Sequence, residues 1–564
     1  MKENYNSIAS LIVYIKNNYN SNILLHDLNT ENSLTGSELY KKVTFCAAGL
    51  NYLGVTSGSS VVIMAHSSTF WVIADFAIAM CGGVSVPIYT DISSENLEYE
   101  ISDSNADFAM VPSIELAKVL SGISTLKKII VNENVVNDPV LMYFDELIKL
   151  GETLVKKNPV IINEMIGQRN ESDIYTIVYT SGSTAKPKGV ELTNANMVNQ
   201  LYSVGKIYKL ESDTDEALSF LPMAHIFERM VILFYLRSGI KVNFVDEVAN
   251  VSKYLKEIEP TVMTVVPRVL EKIYTKIREN VNEASLLKRF IANNALDDAF
   301  EDNKFNIKTP KHRLYNKAVY KRVRKVFGSR MNYLIVGGAP LGLAFHRFFL
   351  NIGVPLYQGY GMTECSPVIS ANSPGENRVG TSGKVLAGVT VKLSSDGEIY
   401  VKSKSLMHSY HNLESATKEA IDDDGWFHTG DLGSIDSDGY LSVHSRTNEL
   451  LKTSTGEYVR AVYIEHQLKA NKDIDQVLVI ADGKKFASAL IFSNSSKDDK
   501  SIDRLVKKLN RKLNRFEQIK KYVVIKEIPT IQKGLLTPSQ KLRRDKVLKY
   551  FSPTINSMYE EDKS

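Results

Sequence analysis

Cysteine is scarce: Cys46, Cys81 and Cys365 are the only three in 564 residues, and no two form a CxxC pair. That spacing excludes a disulfide framework and a cysteine zinc site, and it fits a reducing cytoplasm. Charge of one sign is lacking too. The formal net charge is only +4, so no whole-molecule field points to nucleic acid as a partner. A bilayer span needs ~20 clean apolar residues. The most apolar stretch, FWVIADFAIAMCGGVSVPIY at 70–89, is broken by Asp75, Gly82, Gly83 and Pro87 and reads as buried helix, turn and strand. Near the amino terminus a short apolar run, Ile8 to Ile15, has no small-residue cleavage pattern behind it. An ordinary first helix is expected there rather than a signal peptide. With no fixed-period repeat and no low-complexity linker, the chain is expected to be soluble or peripheral to a membrane.

What is present suits a folded chain of enzymatic size. Hydrophobic residues make up 44% and charged residues 23%, ordinary values for a globular protein. The length exceeds the ~250–300 residues at which one core stops growing, so at least two domains are expected. Short apolar runs (SVVIMAH, ADFAMVPS, LKKIIVN, YTIVYTS, KVNFVD, TVMTVVP, NYLIVGG) recur between longer helical stretches. This is the pattern of a mostly parallel α/β core. After about residue 380, GKVLAGVTVKLSSDGEIYVKS and GSIDSDGYLSVHSR place Asp-Gly turns between strand-like runs, predicting hairpins and a small β-rich section.

Two basic stretches stand out. Residues 304–330 hold ten Lys/Arg and no acid, with Leu314, Val319, Val323 and Val326 at helical spacing. In 502–522, Ile502, Leu505, Leu509, Leu513, Phe516 and Ile519 recur among basic residues, predicting a second basic helix over that stretch. Both read first as solvated outer faces over an apolar stripe, with a membrane surface or an acidic partner as the alternative for the former.

The string YTSGSTAKPKGVELT at 179–193 is rich in glycine, hydroxyls and lysine. The strand-like DIYTIVYT precedes it, and TNANMVNQLYSV, with Thr193 at a capping position, follows. In such an arrangement backbone N–H groups can face an anion. Ser181, Ser183 and Thr184 add donors and Lys188 adds charge, so a phosphate is the expected guest. It is not the G-x-x-x-x-G-K-[ST] loop, because the lysine precedes the glycine and Val190 follows. By itself a Gly/Ser/Thr turn is more often only a turn.

The whole string, however, resembles the T-S-G-[ST]-T-G-x-P-K-G signature of the adenylate-forming superfamily, with Ala185 where the signature has glycine. Further segments resemble that superfamily in its order: LPMAHIFERM (221–230), TVVPRVLEKIY (264–274), VGGAPL (336–341), YQGYGMTECSP (357–367), DGWFHTGDLG (424–433), SRTNELLKTSTGEYV (445–459) and GLLTPSQKLRR (534–544). The resemblance covers nearly the whole chain. In HIFE, TSTGEYV and LLTPSQK it is to long-chain fatty acid:CoA ligases in particular.

The resemblance implies an α/β fold. A large N-terminal adenylate-forming domain, residues 1–447, would have mixed sheets with helices and a small β-rich subdomain. A small mobile α+β C-terminal domain, 448–564, would turn about a hinge near Asn448, where the family has Asp or Lys. The implied reaction joins a fatty acid to AMP from ATP with Mg²⁺ and then transfers the acyl group to coenzyme A. Thr180, Ser181, Gly182, Ser183, Thr184, Lys188 and Gly189 would hold phosphates. Gly338, Ala339 and Pro340, with Gly359, Tyr360, Gly361 and Met362, would complete the nucleotide site, Tyr360 lying against the base. Thr363 would orient an oxygen, Glu364 would hold the metal, and Asp431 and Arg446 would take the ribose. Lys452 and Gly456 fall in the segment facing the thiol tunnel. Lys541 would balance charge as the carboxylate attacks the α-phosphate. His225 would sit by the acyl carboxylate or be a satisfied core histidine. Two other readings stand beside this one: a ligase that stops at acyl-AMP or serves an acyl carrier protein, and, more remotely, a non-catalytic nucleotide-binding protein.

Overall fold

The apolar runs become two sheets in the larger of two compact units, formed by Met1–Val391, Val401–His428 and Ser437–Leu441 of the computed structural model. The structure describes residues 5–123, 125–134, 138–180, 186–301, 309–446, 450–469, 471, 474–493, 499–530, 532–536 and 542–560. One sheet has eight strands in the order Ser409–Tyr410, Lys188–Thr193, Ile174–Thr180, Val84–Pro87, Ser60–Ile63, Phe108–Val111, Lys128–Val131, Leu141–Tyr143. From Ile174–Thr180 onward neighbours are parallel, whereas the first three strands pair antiparallel.

The other sheet has nine strands: Lys384–Val385, Val368–Ala371, Leu356–Gly361, Tyr333–Val336, Val262–Val265, Glu216–Ser219, Lys241–Phe244, Ile23–Asp27, Asn32–Thr35. It is parallel from Leu356–Gly361 to Ile23–Asp27 and antiparallel at both edges. Ser60–Ile63, Val84–Pro87, Phe108–Val111 and Val262–Val265 are buried at every position. Helices cover parallel sheets on both faces, which is why these strands read as continuous apolar runs. The 70–89 stretch resolves into the fully buried helix Thr69–Cys81, a left-handed turn at Gly82 (φ 81°), and the strand Val84–Pro87. Among the described residues no helix is long and apolar enough to cross a membrane.

The helix Ile226–Arg237 is bonded to both sheets by consecutive residues. Glu228 accepts from Ser219 Oγ and Thr264 Oγ1, each at 2.6 Å, in the nine-stranded sheet. Arg229, fully buried, reaches the eight-stranded sheet through Ser85 Oγ (2.6 Å) and Thr176 Oγ1 (2.7 Å), and it pairs with Asp75 on Thr69–Cys81. Its guanidinium also lies over the Tyr175 ring at 4.3 Å. A charge so enclosed is tolerable because each of its three nitrogens donates a hydrogen bond and its counter-ion is beside it.

The basic 304–330 stretch is not one regular helix. Its described part runs as helix Pro310–Tyr315, a wide π-type turn Asn316–Tyr320, helix Lys321–Arg324 and a 3₁₀ turn Lys325–Phe327. Val319 and Val323 are buried as the spacing predicts, but Leu314 is 62% exposed.

The second unit comprises Lys392–Tyr400, Thr429–Asp436 and Ser442–Ser564. Its three-stranded sheet, Gln476–Ile480, Ala487–Phe492 and Ile519–Ile525, packs with Ala461–Lys469 and Asp499–Asn510 around Val459, Ile464, Val479, Ile502 and Val506. Here the single helix expected over 502–522 is corrected. The helix ends at Asn510, whose side-chain oxygen accepts from the Ile519 backbone N–H at 3.0 Å. From Ile519 the β-branched run pairs with Ala487–Phe492, and ladder pairing outweighs the 3.6-residue pattern. Both hairpins expected after residue 380 form: Val389–Leu393 with Glu398–Ser403 turns at Gly397 (φ 85°), and Phe427–Ile435 with Leu441–Arg446 turns at Gly439 (φ 83°).

Candidate active site

In an open parallel sheet, ligand-binding residues collect beyond the carboxyl ends of the strands. In the nine-stranded sheet, Tyr333–Val336 and Leu356–Gly361 are in register, Val336 facing Gln358, so Gly337–Pro340 and Gly359–Glu364 leave the same edge side by side. Val262–Val265 pairs with Tyr333–Val336 on the other side, and Glu216–Ser219 leads to Leu221–Arg229. Four of the recognised segments therefore share one edge.

Close approach explains the glycines. A Cβ on Gly337 would stand 2.8 Å from the Phe227 ring, and one on Gly361 would stand 1.9 Å from the Pro367 carbonyl oxygen. Gly338 turns left-handed (φ 75°) before Ala339 and Pro340. Met362 N–H donates to Pro367 O at 2.9 Å, closing the turn that carries the Thr363–Cys365 3₁₀ segment. Tyr360 and Thr363 are half-buried, whereas Glu364 and Cys365 are buried.

Glu364 is anchored at both ends. Its backbone carbonyl accepts from Met407 N–H at 2.7 Å, and its Oε1 accepts from the Tyr410 hydroxyl at 2.9 Å. Among the described residues nothing bonds to Oε2. Tyr410 has a second contact: the Lys188 ammonium lies 4.8 Å from its ring centroid. The sheet dictates this, since Tyr410 sits opposite Val190 in the antiparallel ladder and Lys188 is its diagonal neighbour on the same face. Burial first, and then the Glu364 carboxylate, pushes the Tyr410 phenol well above its ordinary range.

The phosphate-loop expectation is corrected in one respect. The loop does not run into a helix; it joins two antiparallel strands, Thr180 facing Lys188 and Tyr179 facing Gly189. Lys188–Thr193 forms a strand, buried except at Lys188 and Glu191, before Thr193 caps the helix Asn194–Ile207, accepting from Asn196 N–H. The helix N-terminus therefore lies a full strand from the loop, and the donors left to an anion are the hairpin itself and its lysines. Ser181, Gly182, Ser183 and Thr184, with Ala185, lie outside the described residues. The hairpin root is braced: His411 Nδ1 bonds to Glu191 Oε1 at 2.7 Å, Ser409 Oγ donates to Glu191 Oε2, and the Tyr179 hydroxyl donates to Asp103 at 2.7 Å. The bond from Glu191 raises the His411 imidazole above its ordinary value. A Cβ on Gly189 would stand 2.8 Å from Ile177.

His225 is not a core histidine. It is exposed at the N-cap of Ile226–Arg237, where its Nδ1 accepts from Phe227 N–H at 3.1 Å. Three residues on, burial raises the Glu228 carboxyl to about 7 despite its two hydroxyl donors.

Within the second unit, Asp431 follows the left-handed Gly430 (φ 68°); its N–H donates to Thr429 Oγ1 at 3.0 Å, and its buried carboxylate accepts from Arg446 Nε at 3.1 Å. Lys452 is exposed, its ammonium 5.4 Å from the Tyr458 ring centroid. Gly456 (φ 89°) turns the hairpin Leu450–Lys452 to Tyr458–Arg460, donating to Thr453 O at 3.0 Å. Asn448 and Lys541 lie outside the described residues.

Magnesium is commonly held by one or two carboxylates together with substrate phosphates and water. Glu364, with one oxygen held and the other open at the strand edge, fits that donor set. Among the described residues no cluster of three or more His, Cys, Asp or Glu could hold a metal without a substrate.

Comparison with known proteins gives the same picture along the chain. Residues 16–411 match the model of the AMP-binding enzyme family, and 448–563 match its C-terminal domain model. The chain is 30% identical to the long-chain-fatty-acid–CoA ligase FadD15 of Mycobacterium bovis over 94% of this chain and 92% of that one. It is 28% identical to the long-chain-fatty-acid–CoA ligase ACSBG2 of Xenopus laevis over 93% and 79%. Among solved structures, the Bacillus subtilis o-succinylbenzoate–CoA synthetase with ATP and magnesium superposes with a TM-score of 0.70 at 21% identity, over 95% of this chain and 98% of that one. A Mycobacterium tuberculosis fatty acyl-CoA synthetase gives 0.63 at 20%, over 97% and 99%.

Proposed function

The chain belongs to the AMP-binding enzyme family as a long-chain acyl-CoA synthetase, and on that premise we propose that it makes acyl-CoA in two half-reactions. In the first, a fatty-acid carboxylate oxygen attacks the α-phosphorus of ATP, the bond to pyrophosphate breaks, and acyl-AMP forms. In the second, the sulfur of coenzyme A attacks the acyl carbon, the bond to AMP breaks, and the thiol proton is released. Neither step needs a nucleophilic side chain. The protein's task is positioning and charge neutralisation.

The observation that carries this reading is the edge where VGGAPL and GYGMTE emerge together, with Glu364 held by Tyr410 and Lys188 lying on the same ring. Lys188 and the 180–184 loop are assigned to the phosphates, Tyr360 to the base, Thr363 to an α-phosphate or carboxylate oxygen, and Gly338–Pro340 to the wall of the nucleotide site. Glu364 is assigned to Mg²⁺, which when bound would offset the charge of the triphosphate oxygens. His225, exposed at its helix start, is assigned to the acyl carboxylate. Asp431 and Arg446 are assigned to the ribose, Lys541 to the first half-reaction, and Lys452 and Gly456 to the second, with the C-terminal domain turning about Asn448 between the two. Relatives named for long-chain fatty acids support that substrate class.

The test is pyrophosphate release with ATP, Mg²⁺ and fatty acids from short to very long, with and without coenzyme A. Turnover peaking at long chains and requiring coenzyme A supports the reading. One stoichiometric burst regardless of coenzyme A would point instead to a ligase that stops at acyl-AMP or serves a carrier protein.

A further inference from the structure

Beyond the TVVPRVLEKIY segment, whose last eight residues open the first of them, the helices Pro267–Asn282 and Leu286–Asp298 form an antiparallel hairpin. Arg278 ties them together through Asn293 (3.0 Å) and Asp297 (2.5 Å). The base of the hairpin is clamped by aromatic rings: Tyr274 lies 5.5 Å from Phe300 and 5.0 Å from Phe348. At 1.5 Å per residue, the tip at 283–287 stands about 12–20 Å from that clamp.

The tip is bare. Leu286, Leu287 and Phe290 are 76%, 72% and 68% exposed, the three most exposed large hydrophobic side chains among the described residues. Three such residues in five, on one helix start, are unlike the scattered exposed leucines of an ordinary surface. Lys288 and Arg289 stand among them against the single carboxylate of Glu283 in the tip turn.

The neighbouring segment supplies a field. Residues 309–330 carry eight Lys/Arg and no Asp or Glu, while the whole chain carries only +4, so the remainder is net acidic. That segment is strapped to the hairpin by Lys311 to Asp298 (2.7 Å) and by the Tyr320 hydroxyl to Ala295 O (2.8 Å). Arg313, Lys317, Lys321, Arg322 and Lys325 have no carboxylate partner among the described residues. Leu314, in the midst of them, is 62% exposed.

We propose that this helical hairpin docks the protein on an anionic lipid surface, with Leu286, Leu287 and Phe290 entering the headgroup boundary and the basic 309–330 segment held by lipid phosphates. Apolar anchors beside unpaired cations are the combination an anionic interface recognises. An acidic protein would meet the cations but leave the apolar tip wet, whereas a second copy of this chain would bring cations against cations. The proposal goes beyond the catalytic reading and does not depend on it.

The experiment is co-sedimentation of the full chain with vesicles of phosphatidylglycerol and phosphatidylcholine, against vesicles of phosphatidylcholine alone. The wild type is expected on the anionic vesicles only and to be released by high salt, which screens charge within a few ångströms. Leu287→Glu with Phe290→Glu is expected to lower partitioning about tenfold, with Tm and turnover of a dissolved short-chain acid unchanged. If that variant fails to fold, Leu286→Ser with Leu287→Ser carries the same test. Lys321→Glu with Arg322→Glu is expected to weaken binding at low salt and to matter little at high salt. Equal binding of wild type and tip variants would overturn the proposal, as would absence of wild-type binding to anionic vesicles. So would a wild-type dimer that the tip variants render monomeric, which would assign the tip to a second copy. Vesicle binding needs neither ATP nor coenzyme A, so a chain that binds vesicles but releases no pyrophosphate counts against the catalytic reading alone.

Discussion

The Tyr410 hydroxyl donates to Glu364 Oε1 at 2.9 Å while the ring of the same tyrosine carries the Lys188 ammonium 4.8 Å from its centroid. One side chain thus fixes the carboxylate assigned to the metal and the cation assigned to the phosphates. Tyr410→Phe keeps the ring and removes only the hydroxyl, and Tyr410→Leu removes both contacts. The Phe variant is expected to need about tenfold more Mg²⁺ for ATP to raise Tm, since a hydrogen bond to a charged group contributes about 1.5–3 kcal/mol. The Leu variant is expected to bind ATP more weakly still. Acyl transfer from supplied acyl-AMP, which involves no triphosphate, stays near wild type in both. An unchanged Mg²⁺ requirement in Tyr410→Phe removes the assignment.

The two half-reactions are expected to separate by mutation. Lys541→Ala should slow acyl-AMP formation by about 10²–10³-fold, the usual cost of losing one charge-stabilising donor, and leave acyl transfer intact. Gly456→Leu, forced to φ 89°, should do the reverse. Single-turnover assays of each step decide; equal loss of both steps in Lys541→Ala would falsify its assignment to the first.

Stability is expected to depend on Glu228. Its carboxyl is raised to about 7 by burial, above its unfolded value. Below the unfolded value both states hold the proton and there is no penalty. As pH rises from about 4.5 toward 7 the unfolded state ionises first, and stability falls by up to about 3 kcal/mol. Glu228→Gln removes that dependence, so the Tm of the variant relative to wild type should climb between pH 5 and 8. Parallel Tm curves for the two proteins across that range would refute it.

Breaking the buried pair from one side should be costly. Asp75→Asn leaves the fully buried Arg229 guanidinium without its counter-charge and is expected to destabilise by about 3–5 kcal/mol. Asp75→Leu combined with Arg229→Met should lose less than the sum of the two single changes. Urea unfolding of the four proteins in the cycle measures the coupling, and strict additivity would deny that the two residues act as a unit.

Much of this molecule was legible because its signals are local. Buried parallel strands announce themselves as apolar runs, Asp-Gly marks the hairpins at Gly397 and Gly439, and Thr193 was recognisable as a cap. The segments assigned to the active site could be singled out only through family resemblance, since Thr363 and Glu364 in isolation look like a solvated turn. Tyr410 escaped notice because it is 46 residues from Glu364 in sequence. Its contacts with Glu364 and Lys188 arise from a two-residue strand in which it pairs with Val190, too short to leave a period. The loop was read as leading into a helix because the cap at Thr193 was visible and the six-residue strand before it was not. Ile519 fits a helical stripe as well as a strand, and only the partner Ala487–Phe492 decides between them.

The helix Ile226–Arg237, bonded by Glu228 to one sheet and by Arg229 to the other, sets an order on synthesis. Every strand of the eight-stranded sheet except Ser409–Tyr410 has been made by residue 193, yet Asp75 waits for Arg229. Until then a closed sheet would bury Asp75 either without its counter-ion or with a proton taken up, and either way at a cost in stability. The amino-terminal third of the chain therefore gains its full stability only once residue 229 has been made, and through that one helix the stability of each sheet is tied to the other.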